Sequence, residues 1–66
     1  MNKLFLNTDI YLEENIKETC VVYKEYAEIK VEKINSYIKL IFNNCKYDTD
    51  TTMKEFENYL INLENV

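Results

Sequence analysis

Tyr37-Ile38-Lys39-Leu40-Ile41-Phe42 is the most apolar stretch of the chain, and its reading decides the fold. Successive side chains of a strand point to opposite sides, so Ile38, Leu40 and Phe42 face one way and Tyr37, Lys39 and Ile41 the other. A strand apolar on both sides suits the middle of a sheet. Upstream, from Ala27, Ile29 and Val31 alternate with Lys30, Glu32 and Lys33, which predicts a half-buried strand ending near Lys33. Asn35-Ser36 is the only plausible tight turn between the two stretches. It lacks glycine, so a longer or type I turn is expected in place of the favoured two-residue hairpin.

Farther out, residues 3 to 7 form a short apolar run with Leu4 and Leu6 on one side and Phe5 on the other, a third strand. Asn7-Thr8-Asp9 supplies turn and cap chemistry, after which Leu12, Ile16, Thr19, Cys20, Tyr23 and Tyr26 recur at the spacing of one helix face. The spacing predicts a helix over 12–26. On the other side, the polar residues 43–50 end the central strand, and Thr52 with Glu55 fits the reciprocal capping pair that opens a second helix. That helix carries Met53, Phe56, Leu60 and Leu63 on one face, with Tyr59 and Ile61 at its margins.

The order β-α-β-β-α predicts an α+β fold, a three-stranded antiparallel sheet in spatial order 1-3-2 with both helices on one face. This is half of a ferredoxin-like arrangement plus a closing helix. Such a sheet leaves one side uncovered, and Phe5, Tyr37, Lys39 and Ile41 stand there as the candidate partner-binding residues. The outer edge of the strand at 27–33 is a second candidate, able to accept a strand from a peptide or another copy, although Lys30, Glu32 and Lys33 discourage such pairing. Tyr11, Tyr23, Tyr26 and Tyr59 fall on or near helix faces and read as core-edge residues.

Composition narrows the function. The chain has 66 residues, enough for a single domain over 1–66 with a modest core. Hydrophobic residues make up 47% and charged residues 30%, which is too apolar for a disordered tail and too polar for a membrane protein. The start, through Asn7 and Asp9, is broken before a secretory apolar segment could form, so the expected compartment is the cytoplasm. Cys20 and Cys45 are expected to be free thiols there, Cys20 as core filler. A Cys20–Cys45 bridge stays open on sequence grounds, though a reducing cytosol disfavours it. Net charge is -4 and all eight basic residues are lysine, so bidentate phosphate or guanine recognition by arginine is absent and nucleic acid is not an expected partner.

Catalysis finds little to build on. There is no histidine and no glycine, which removes the commonest general base and metal ligand and every glycine-rich phosphate loop. The two cysteines lie 25 positions apart, outside any Cys-x-x-Cys pair, so no metal site, cofactor or catalytic residue is expected. The carboxylate pairs Glu13-Glu14, Asp48/Asp50 and Glu55/Glu57 are explained by helix starts and solvated faces.

Several segments carry a family likeness: Ile10-Tyr11 leading into a helix with Ile16-Lys17 and Tyr23, Tyr26-Ala27 running into Ile29 and Val31, and Glu55-Phe56-Glu57-Asn58-Tyr59-Leu60 near the end. In these the chain resembles the HxsD family, small proteins of the His-Xaa-Ser peptide-maturation system. Leu12 departs from it, standing where a capping serine is more typical. The resemblance implies an accessory protein with no active site of its own. It would work beside a radical-SAM maturase and help it recognise a precursor peptide. Separately from the resemblance, a domain this small often gains stability from a second copy, so another copy of the chain is a further expected partner. Asn58 belongs to the family-like segment and otherwise reads as a polar residue closing the helix against the sheet end. The competing expectation is a small acidic inhibitor or antitoxin whose carboxylates occupy a basic site on a target.

Overall fold

The computed structural model describes residues 1–66. Its elements run β1 (Lys3–Asn7), α1 (Glu13–Val22), a single 3-10 turn (Tyr23–Glu25), β2 (Glu28–Ile34), β3 (Tyr37–Asn43) and α2 (Thr49–Glu64). Both edge strands pair antiparallel with β3, giving the order β1-β3-β2 in an α+β fold. The central place of β3 follows from its composition. Ile38, Leu40 and Phe42 are all buried on one side, where β1 contributes Leu6, and a strand so apolar gains most with a neighbour on each flank.

Both helices close over that side. α1 brings Ile16 and α2 brings Phe56 and Leu60 into one cluster with Leu6, Ile38, Leu40 and Phe42. Full burial of side chains this size is worth about 1.5–3 kcal/mol each, so α2 alone supplies a large part of the driving force. The rings of Phe42 and Phe56 meet edge to face, with centroids 5.3 Å apart. Thr19 and Thr52 are the two buried polar residues, and each hydroxyl donates to the carbonyl four residues back, Asn15 and Asp48 respectively.

Four local expectations change. The hairpin between β2 and β3 is tight after all: Ile34 pairs with Tyr37, and Asn35-Ser36 is a two-residue turn. Asn35 takes φ 52°, a conformation that a short polar side chain tolerates without glycine. The cap of α2 is Asp48 and not Thr52, because the Thr51 N–H and hydroxyl both donate to Asp48 Oδ2, at 2.9 and 3.0 Å. Helix α1 ends at Val22, and the remaining turn to Glu25 tightens to 3-10 geometry. Val31, expected to be half-buried beside Ile29, is 53% exposed, because β2 is an edge strand and the ten-residue α1 does not reach over it.

The start of α1 has no cap of its own. Leu12 occupies the cap position without a side-chain acceptor, and Asn7 and Asp9 form a turn instead, the Asp9 N–H donating to Asn7 Oδ1. The acceptor comes from the far end of the chain, where Glu64 Oε2 receives the Leu12 N–H at 2.9 Å and the Asn15 side-chain amide at 2.7 Å. This is the reciprocal half of a capping box supplied by another helix. Glu64→Ala removes the acceptor from two donors at a helix start and is expected to cost about 0.5–2 kcal/mol in urea denaturation. A loss under about 0.5 kcal/mol would mean that solvent caps α1 equally well.

Candidate partner-binding face

Strand register places the candidate residues together. Phe5 pairs with Lys39, Lys3 with Ile41 and Asn7 with Tyr37, while across β3 Glu32 pairs with Lys39, Lys30 with Ile41 and Ile34 with Tyr37. All of these side chains stand on the side the helices leave open, because their β3 partners alternate with the buried Ile38, Leu40 and Phe42. Phe5 is 53% exposed and Tyr37 45%, whereas Lys39 and Ile41 in the centre are half-buried by their neighbours. Phe5, Tyr37, Lys39 and Ile41 are therefore brought to one surface.

Ile34 joins them, 44% exposed beside Tyr37, and sequence reasoning missed it. Ending the strand at Lys33 left Ile34 in the turn. Its alternation with Glu32 and Lys30 was the available signal, and the two-residue turn is what draws it into the ladder.

The face is ordered by charge pairs across its middle. Lys39 Nζ lies 2.9 Å from Glu32 Oε1, and Lys30 Nζ lies 3.8 Å from Glu32 Oε2. The Lys39 hydrogen bond and charge, with a smaller effect from Lys30, hold the Glu32 carboxyl below its ordinary range. Pairs this exposed add little to stability, but the Lys39–Glu32 pair ties β3 to β2 at the centre of the face. Three lysines and two glutamates (Lys3, Lys30, Lys39, Glu28, Glu32) make the open face slightly cationic in a chain of net charge -4, so the acidic surface belongs to the helical layer.

Two other carboxyls are held low. Glu13 is lowered by its hydrogen bond and charge contact with Lys33, 2.9 Å away, and Asp48 by the Thr51 donors. A carboxyl lowered in the folded state stabilises the fold above its unfolded value, and that stability is lost as pH falls through the folded value. The thermal midpoint is therefore expected to fall on acidification below about pH 4.5, where unfolded carboxyls begin to take up protons. Asp48→Asn keeps a cap acceptor and should shallow that dependence, and Asp48→Ala should lower the midpoint by a few degrees at pH 7. A pH profile unchanged in Asp48→Asn would remove Asp48 from the account.

A concavity of about 620 Å3 is lined by Val22, Tyr23, Tyr26, Tyr47, Thr52 and Glu55. Tyr23 packs on Phe56, Tyr26 and Tyr59 with centroids 5.5–6.0 Å apart, as a core-edge residue does. Burial first, and then the nearby Glu55 charge, push its hydroxyl above the usual value. Cys20 and Cys45 are unpaired and half-buried against the core, and burial raises the Cys20 thiol, which makes it less nucleophilic. No three cysteine, aspartate or glutamate side chains converge on a common point. No helix is long and apolar enough to cross a membrane.

Asn58 does not sit where the sequence suggested. It is exposed in the middle of α2, which continues to Glu64, and it closes nothing against the sheet. Within its segment the buried Phe56 and Leu60 and half-buried Tyr59 are explained by packing alone. No family model, no curated protein and no solved structure matches the chain.

Proposed function

We propose that the chain is a non-catalytic cytoplasmic binding module whose open sheet face docks on a partner protein, and that it serves as the accessory subunit of a peptide-modifying radical-SAM enzyme. One observation carries the docking role: Phe5, Ile34 and Tyr37 stand exposed around the Lys39–Glu32 pair, with Ile41 on its far side, on a sheet face that neither helix covers. Exposed apolar residues gathered on one uncovered face of a small domain are a usual mark of an interface. Its two aromatic rings are the residue types that anchor interfaces, and the Lys39–Glu32 pair at its centre gives it register. The class of partner comes from the HxsD-like segments.

The competing acidic-inhibitor reading needs carboxylates at the interface. Those lie mainly on the helical layer, away from the apolar patch, which favours the accessory role. Capture of partners on the tagged chain, identified by mass spectrometry, separates the two. A radical-SAM enzyme that Phe5→Ala with Tyr37→Ala no longer captures is the expected result. A nuclease or toxin retained by that double variant would replace this reading with inhibition through the acidic helices.

A further inference from the structure

The exposed edge of β2 is complementary to itself. A two-residue turn closes on a hydrogen-bonded pair, here Ile34 with Tyr37, and bonded and open pairs alternate from there along an antiparallel ladder. Glu28, Lys30, Glu32 and Ile34 thus spend their backbone groups on β3, and Ile29, Val31 and Lys33 direct theirs outward from the edge. A two-fold axis on Val31 would pair Val31 with Val31 of a second copy and Ile29 with its Lys33, so every outward group finds a partner.

The side chains agree with the backbone. In that register Lys30 lies opposite Glu32 of the second copy, twice by symmetry, on the open face and in the closer type of cross-strand pair. Charges that guard an edge against indiscriminate pairing here become attractive in one alignment. An axis on Lys33 would oppose two lysines, and one on Ile29 would leave Val31 to Ile34 beyond the end of the partner strand. On the helix side, the 53% exposed Val31 and 69% exposed Val21 border a groove of about 430 Å3 between α1 and β2, apolar surface that a second copy would cover.

We infer that the chain forms a two-fold dimer through β2, joining two three-stranded sheets into one continuous sheet with both partner-binding patches on the same side. This stands apart from the identity of any partner.

Sedimentation velocity on the full chain tests it. The wild type should dimerise with concentration. K30E alone and E32K alone should each weaken dimerisation by roughly tenfold, since both symmetric pairs turn repulsive. Mixing the two variants should restore it, because one chain then carries two negative charges and the other two positive at the paired positions. Val31→Pro removes an N–H that serves no ladder bond within the chain, and should stay folded by circular dichroism yet run as a monomer. A wild type that stays monomeric at its highest soluble concentration would overturn the inference. So would a folded Val31→Pro that still dimerises, or a mixture no tighter than either variant alone. Should Val31→Pro unfold, the charge-swap mixture decides by itself.

Discussion

Phe56→Ala should cost about 3–5 kcal/mol of stability, the range for emptying a buried phenylalanine site. Phe56 is fully buried, stacked edge-on to Phe42 and 5.5 Å from the Tyr23 ring, so the vacated space is bounded by the sheet on one side and aromatic residues on the other. A chain of 66 residues has roughly 3–10 kcal/mol in total, at typical values per residue, so this single truncation removes much of it and a sizeable unfolded population should be present in buffer. Urea denaturation followed by circular dichroism measures it. Phe5→Ala makes the same chemical deletion on the other side of the sheet, from a site 53% exposed, and should cost under about 1 kcal/mol. Equal losses at the two positions would show that the open side is packed in solution and would remove the basis of the docking face.

The second large effect is on binding. Phe5→Ala combined with Tyr37→Ala is expected to weaken the complex with the captured partner by about 100-fold or more, because truncating each aromatic anchor typically costs 2 kcal/mol or more and 1.4 kcal/mol is tenfold. The two residues lie on different strands, joined through Lys39 and Asn7 in the ladder, so neither holds the other in place. Titration calorimetry or surface plasmon resonance reads the affinity, and circular dichroism reads the fold. A folded double variant that binds within threefold of the wild type would move the interface elsewhere, with the acidic helical layer as the next candidate.

These two experiments depend on one feature that local sequence carries well, the alternation of side chains along a strand. Ile38, Leu40 and Phe42 are buried and Tyr37 is exposed as alternation requires, and Leu6 and Phe5 divide in the same way on β1. The helix stripe did as well at Ile16, Thr19, Phe56 and Leu60, all buried. Four residues of the candidate face are legible from alternation alone; Ile34 is not, because only the two-residue turn draws it into the ladder opposite Tyr37.

Other features resisted local reading because distant contacts decide them. Thr52 carries a capping pattern, yet packing buries it and leaves Asp48 to cap α2. Leu12 looks like a defective cap until Glu64, 52 positions later, is brought to it. Val31 has the pattern of a half-buried strand residue, but exposure depends on how far α1 reaches over the edge.

The order of elements and the apolar side of each strand are written locally along the chain, since both arise from sequence neighbours and from a period of two or 3.6 residues. How much of each apolar side is covered, which residue caps which helix, and whether the β2 edge presents its charges in a self-matching order with its backbone groups free are settled only by folding. Those properties exist only once residues far apart in the chain share a surface, and burial, not pattern, then sets their energies.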